Sequence, residues 1–170
     1  MAVAIFQCED YAVPEFEVRP ARPEDAREMA ELLAAVAEER DGIATEPPVD
    51  VDARTHEFAA SAAGSLVAEA DGAIIGMIHV GEGRFGVGEL AMLVERGWRG
   101  RGVGSALVAA AIEGARSKGL HKLSLDVFAH NAAAIALYHK FGFVEEGRRV
   151  AQYRRSSGDL WDAIVMGLLL

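Results

Sequence analysis

The chain has 170 residues, 51% of them hydrophobic and 25% charged, which is enough apolar material for the core of one globular domain. A formal net charge of −9 argues against nucleic acid as a partner, although a local cluster such as Arg96, Arg99 and Arg101 can still hold one compact anion. The one cysteine, Cys8, excludes an internal disulfide and a cysteine-only metal site, and its place before the first periodic segment argues against a catalytic thiol.

Residues 1–14 read as an N-terminal extension and residues 15–170 as a single domain. Met1 to Phe6 is apolar but short, lacks a basic flank and runs into Gln7, Cys8, Glu9 and Asp10, so the parts of a secretory signal are missing and a cytoplasmic location is expected. Phe16 to Pro20 alternates like a strand. After a turn at Arg22-Pro23, Glu24 to Glu39 carries Met29, Leu32, Leu33 and Val36 at helical spacing. Asp41 to Asp50, with Gly42 and Pro47-Pro48, reads as a loop of the kind that borders binding sites, and a weaker helical stretch follows around Asp52 to Ala63.

Leu66 to Glu69 and Ala73 to Val80 flank Asp71-Gly72, a strong hairpin signal because both turn positions tolerate positive φ. Val87 to Val94 continues the meander. From Val103 the period changes, and Val103, Leu107, Ala111, Ile112 and Ala115 line one helical face until Lys118-Gly119 stops it. Lys122 to Phe128 returns to strand. Asn131 is placed to cap a helix whose inner face holds Ala134, Ile135, Tyr138 and Phe141 before Gly142 ends it. Phe143 to Glu146 and Trp161 to Leu168 are the last strand candidates, joined by a polar, arginine-rich loop. The closing run from Ala163 to Leu170 is far below the roughly 20 residues of a membrane-spanning helix, so no membrane partner is expected. This order predicts a mixed α/β sheet flanked by helices.

The segment Arg99-Gly100-Arg101-Gly102-Val103-Gly104-Ser105 falls between a predicted strand and a predicted helix. Glycines there let the backbone curl around a ligand, while the free amides and positive dipole end of the helix favour a phosphate or pyrophosphate. A nucleotide-hydrolase phosphate loop fails, because Val103 stands where its lysine must be. A dinucleotide fingerprint through Gly100, Gly102 and Ser105, with Asp126 as the ribose acid, stays open. So does a glycine-rich turn without a ligand.

Arg99-x-x-Gly102-x-Gly104 resembles the Arg/Gln-x-x-Gly-x-Gly/Ala motif of the GNAT superfamily of acetyl-coenzyme A-dependent acyltransferases. A second block, Asn131-Ala-Ala-Ala-Ile-Ala-Leu-Tyr138-His-Lys-Phe-Gly142-Phe143, is similar to the downstream Asn…Leu-Tyr-x-Lys-x-Gly-Phe pattern of the same family. The likeness is strong over Glu89 to Phe143 and weak in the flanking strand order. It implies the GNAT-like acyl-CoA N-acyltransferase fold, a mostly antiparallel sheet flanked by helices. It also implies acetyl-CoA as co-substrate with no metal, and direct acetyl transfer to an amine.

By the same resemblance, the turn from Arg99 through Gly100, Arg101, Gly102, Val103, Gly104 and Ser105 holds the coenzyme pyrophosphate. The strand segment Met92, Leu93 and Val94 offers backbone groups to the pantetheine arm, and Asn131 lies near that arm. Lys140, Arg96 and Arg101 are secondary candidates for the adenosine phosphates. Tyr138 stands where the family places the tyrosine that protonates the departing thiolate; a phenol of pKa about 10 can do this without being ionised at neutral pH. Glu89 and Asp126 are the candidate bases, and His79 is a third because its pKa lies near neutrality. His121, His130 and His139 lack ligand spacing with acids, so no metal site is read. Glu38 to Asp50 and Arg148 to Leu160 are expected to line the acceptor site without identifying the amine, which the sequence leaves as a small molecule, an amino acid or a protein N-terminus. A non-catalytic coenzyme-binding module remains the alternative to an enzyme, and pairing of the last strands into a homodimer is a further expectation.

Overall fold

The computed structural model describes residues 16–170; the expectations for Cys8 and for the extension over residues 1–14 fall outside them. Eleven elements follow one another as β1 (Glu17–Pro20), α1 (Ala26–Ala37), α2 (Val51–Ser61), β2 (Ser65–Ala70), β3 (Ala73–Glu82), β4 (Val87–Val94), α3 (Val103–Ser117), β5 (Lys122–Phe128), α4 (Ala132–Lys140), β6 (Val144–Arg154) and β7 (Leu160–Leu169). The strands form one sheet in the order β1-β2-β3-β4-β5-β7-β6. Every neighbouring pair is antiparallel except β4 and β5. A parallel pair needs a crossover, and α3 supplies it.

Local chemistry accounts for the joints. Asp71 and Gly72 carry φ values of 50° and 79°, the left-handed pair that a tight hairpin between β2 and β3 demands. Asp50 caps α2 by accepting the Ala53 N–H at 2.9 Å. Ahead of α1, the Asp25 carboxylate accepts the Arg22 N–H at 2.7 Å and two bonds from Arg19 at 2.7 and 3.0 Å.

Strand alternation divides the apolar residues between two faces. On one, Ile78 and Leu90 with Leu123 and Leu125 pack under Leu107 and Ile112 of α3. On the other, Val67, Met77 and Leu93 pack under Met29, Leu33 and Val36 of α1. Each such fully buried side chain contributes about 1.5–3 kcal/mol of transfer free energy.

The order of elements follows the sequence reading, with one difference at the C-terminal end. Most of the arginine-rich segment expected as a loop is strand, because β6 continues to Arg154. β6 is an edge strand, exposed at nearly every position, so no buried face imposes an apolar alternation on it. Register shifts at Glu145/Gly147 and Arg149/Tyr153, the latter spanning Ala151 at φ 52°, twist it away from a regular ladder. Of the four residues expected on the inner face of α4, Tyr138 is buried while Ala134, Ile135 and Phe141 are half-buried.

Candidate active site

The parallel pair at the centre of the sheet is short. β4 and β5 are joined only at Val87↔Lys122, Gly88↔Leu123 and Glu89↔Ser124. Beyond that rung β4 stays with β3 up to Val94↔Gly76, and β5 stays with β7 up to Phe128↔Ala163. The two strands therefore diverge, and a cleft of about 1550 Å³ opens through the sheet between them. Glu95 donates its N–H to Ile75 of β3, so alternation turns the backbone groups of Val94 and Met92 toward the gap. The Val94 carbonyl already accepts Arg99 Nε at 3.0 Å, which leaves the Met92 groups as the unpaired pair at the middle of the gap.

On the α3 side of the sheet, the glycine turn forms the rim of the cleft. Gly100 and Gly102 sit at φ 75° and 90°, and a Cβ on either would meet nothing within 4 Å. Positive φ is where an L side chain is strained, so glycine serves the turn there, and the space outside it is open. Gly102 is the N-cap of α3 and has no side chain to cap it. The first helical bond runs from the Ala106 N–H to the Gly102 carbonyl. The amides of Val103, Gly104 and Ser105 precede that bond and point out of the positive end of a helix 15 residues long. Arg101 stacks on Trp98 with its guanidinium 4.6 Å from the ring centre, and Lys140 Nζ reaches Ser105 Oγ at 3.4 Å, so cations flank the amides. An open glycine cradle, bare amides and flanking cations fit a pyrophosphate.

Gly104 serves packing instead. A Cβ there would stand 3.1 Å from Leu137 Cδ2 and 3.6 Å from Met92 Cε, so α3, α4 and β4 meet closely at this point. Asn131 caps α4, its Oδ1 accepting the Ala134 N–H at 3.1 Å, and it also lines the cleft. Tyr138 is 6% exposed, packs on Phe143 with ring centres 5.5 Å apart, and lines the cleft. Burial alone pushes its phenol up to about 12, so it is a neutral O–H donor at every physiological pH.

On the opposite face the cleft is acidic and aromatic. Alternation along β4 and β5 turns Glu89 and Asp126 to this side, away from the glycine turn. That placement removes the dinucleotide reading, in which Asp126 had to reach a ribose bound beside the turn. Asp126 accepts Arg149 Nη1 of β6 at 2.7 Å, while Glu89 is exposed on the last rung before the gap. Phe128 stacks on His130 and takes the edges of Tyr153 and Trp161 at 5.2 and 5.1 Å, and His130 Nε2 meets Asp41 at 2.8 Å. His79, half-buried, lines the same face with its Nδ1 2.9 Å from Ser65 Oγ.

The turn, Met92, Val94, Asn131, Tyr138, Lys140, Glu89 and Asp126 all border this one cleft or its rim. Arg99 also lines it, but its guanidinium is engaged: Nη1 and Nη2 donate to Glu39 at 2.7 and 2.9 Å. Leu93 turns its side chain to the α1 core. Sequence reasoning did not mark Phe128, and it included Tyr153 and Arg155 only within the segment Arg148 to Leu160, without singling either out. Arg155 is 4% exposed, stacks on Trp161 at 4.5 Å and donates Nη1 to the Ala44 carbonyl at 3.0 Å. Nothing local marks it, because the carbonyls its guanidinium donates to lie more than 100 residues away. Among the described residues, no group of three or more His, Cys, Asp or Glu could hold a metal ion, and no helix is long and apolar enough to cross a membrane.

The chain resembles acetyltransferases in both sequence and structure. An L-methionine sulfoximine/L-methionine sulfone acetyltransferase of Pseudomonas paraeruginosa is 34% identical over 112 residues, 61% of this chain and 65% of that protein. The chain thus spans less than two thirds of that relative's own length. A ribosomal-protein-alanine N-acetyltransferase from Brucella melitensis superposes with a TM-score of 0.82 at 30% identity, covering 91% of this chain and 99% of that one. A Salmonella typhimurium protein solved with its cofactor acetyl-CoA superposes with a TM-score of 0.81 at 25% identity, covering 92% of this chain and 94% of that one. Residues 26–143, more than half of the chain and including the glycine turn and Tyr138, match the acetyltransferase (GNAT) family, and the chain belongs to that family.

Proposed function

We propose that the protein transfers an acetyl group from acetyl-CoA to a primary amine, by direct attack of the amine within the cleft. The observation that carries this reading is the divergence of β4 from β5 after Glu89, which joins an anion cradle on one face of the sheet to an acidic, aromatic pocket on the other. The amides of Val103, Gly104 and Ser105 hold the pyrophosphate of the coenzyme, with Arg101 and Lys140 beside it. The unpaired backbone of Met92 orients the pantetheine arm, and Asn131 borders it. Acetyl-CoA supplies an activated thioester when bound, and Tyr138 gives its proton to the sulfur that leaves.

Glu89 and Asp126 set a negative potential at the far mouth, which draws in the ammonium form of the acceptor. Both stay base candidates on this reading, although Asp126 is held by Arg149. Acceptors of the relatives, L-methionine sulfoximine or sulfone and a ribosomal-protein alanine, share a primary amine beside an aliphatic carbon, the methyl of alanine or the methylenes of the methionine derivative. The aromatic wall of Phe128 and Tyr153 suits such a group. We place the protein in the cytoplasm, where acetyl-CoA is made and used.

The reading is tested by thiol release from acetyl-CoA across a panel of amino acids, small amines and N-terminal peptides, beside melting curves with acetyl-CoA and NAD. A ligand that binds only the native state raises the melting temperature. Stabilisation by acetyl-CoA alone with amine-dependent thiol release is expected. Stabilisation without turnover by any amine would instead leave a non-catalytic coenzyme-binding module.

A further inference from the structure

Resting on the transferase reading, the geometry points to His79, rather than Glu89 or Asp126, as the group that takes the proton from the attacking nitrogen. His79 lies on β3 with Ser65 of β2 across one ladder and Ala91 of β4 across the other. Ser65 Oγ donates to the Ser61 carbonyl at 3.3 Å, which leaves its lone pairs to accept an N–H from His79 Nδ1 at 2.9 Å. With the hydroxyl proton on the Ser61 carbonyl, Nδ1 carries the imidazole proton and Nε2 keeps the free lone pair, the tautomer that this role requires.

The ring is also fixed by its surroundings. A Cβ on Gly64 would stand 2.9 Å from Cε1, so only glycine leaves room for the imidazole. Nε2 lies 3.4 Å from where a Gly81 Cβ would be, and Gly81 pairs with Glu89 on the last rung before the gap. Nε2 lies beside Gly81, and His79 lines the cleft there together with Ser65 and Glu89, so water in the cleft can link the imidazole to a bound amine. The carboxylates are held differently. Glu89 is exposed, its Cγ 3.6 Å from where a Gly83 Cβ would be, and Asp126 is held by Arg149.

The chemistry suits an imidazole. An ammonium loses its first proton to solvent. As the C–N bond forms and the C–S bond breaks, the nitrogen becomes strongly acidic and its next proton passes through water to Nε2. Tyr138 protonates the sulfur and is restored from solvent, and His79 later returns its proton to solvent, so each amide formed releases one net proton. Burial holds His79 below the usual histidine value, with the Lys118 charge adding to the effect, so the imidazole is neutral at physiological pH. Glu89 and Arg54 face the same part of the cleft, Arg54 being paired with Glu57 at 2.7 Å.

The test is the pH dependence of kcat at saturating acetyl-CoA and amine for the wild type, His79→Gln, His79→Ala and Ser65→Ala, beside nitrogen NMR of the imidazole. The wild type is expected to show Nδ1–H and an acid limb in kcat that coincides with the imidazole titration. In His79→Gln the limb disappears and kcat falls about 100-fold, with both KM values and the acetyl-CoA melting shift retained. Ser65→Ala moves the limb, and free imidazole restores part of the rate of His79→Ala. An Nε2–H tautomer, or an unchanged acid limb in His79→Gln, overturns the role of His79 and leaves the transferase reading standing. No thiol release by the wild type overturns both.

Discussion

Arg99 grips Glu39 with two parallel bonds, Nη1 to Oε2 at 2.7 Å and Nη2 to Oε1 at 2.9 Å, while its Nε donates to the Val94 carbonyl at 3.0 Å. One guanidinium thus ties the segment after α1 to the end of β4 at the entrance to the glycine turn. On the proposed reading, Arg99 serves coenzyme binding by placing the turn, since its side chain is already engaged. Arg99→Ala frees both partners. A part-exposed pair of this kind contributes about 0.5–1 kcal/mol, so the melting temperature falls by about 2–4 °C. KM for acetyl-CoA rises about tenfold, equivalent to about 1.4 kcal/mol, while kcat at saturation is retained. Steady-state kinetics with either substrate varied checks the split.

Tyr138 gives two separable outcomes on replacement by phenylalanine. Loss of the donor to the departing sulfur lowers kcat by about 100-fold at neutral pH, without a matching rise in either KM. The second outcome concerns stability. The folded protein keeps the phenol protonated up to about 12 while the unfolded chain ionises near 10.0. The unfolded state then binds fewer protons across that interval, so this contribution is complete below pH 10.0 and is lost as pH rises toward about 12. A shift of this size corresponds to about 2–3 kcal/mol. Denaturant titrations across the interval should show a steeper alkaline loss in the wild type than in Tyr138→Phe.

Much of this site was legible because its chemistry is local. The turn from Arg99 to Ser105 needs glycines in a short run between a strand and a helix, and Gly100 and Gly102 do take the left-handed conformation. Tyr138 is marked by the likeness of the run from Asn131 to Phe143 to the family's downstream pattern. The acceptor side is assembled from contacts that no local pattern records. Ser65 and His79 meet across a hairpin, and Arg155 meets Ala44 across 111 residues. Arg99 reads locally as a phosphate ligand, and its pairing with Glu39 across 60 residues has no local trace. β6 was read too short for a different reason. With nearly every position exposed, a polar edge strand and a polar loop have the same sequence signature.

Asp25 holds the entry to α1. Its carboxylate accepts two bonds from Arg19 and one from the Arg22 N–H, and the Arg19 bonds lead in holding it below the usual carboxylate range. A depressed folded-state value means that the stabilisation is present above the unfolded value of 3.8 and is lost as pH falls through the folded one. Asp25→Asn removes the charge from a buried site and leaves Glu69 as the remaining acidic partner of Arg19. Charge-assisted bonds of this kind are each worth about 1.5–3 kcal/mol, so the variant melts about 4–8 °C lower at neutral pH. The gap between the two proteins should close in acid, below the titration of Asp25.

Arg155 links the turn after β6 to the loop between α1 and α2. Its guanidinium lies over Trp161 at 4.5 Å and Phe128 at 5.4 Å, donates Nη1 to the Ala44 carbonyl at 3.0 Å and sits 3.6 Å from Glu46, while its Nε has no hydrogen-bond partner. Glu46 is in turn held by Ser156, which donates both its N–H and its Oγ–H at 2.9 Å. Phe128 lines the aromatic face of the cleft, so on the proposed reading the arginine acts on the acceptor pocket and not on the coenzyme cradle across the sheet. Arg155→Met keeps most of the stacked volume and removes the polar links to Ala44 and Glu46. With the two segments untied, KM for the amine is expected to rise by about tenfold, while KM for acetyl-CoA and its melting shift stay at wild-type values. Arg155→Lys should behave like Arg155→Met, because an ammonium cannot span two aromatic rings and a carbonyl as a planar guanidinium does. Equal rises in both KM values would show instead that the loss spreads through the whole fold.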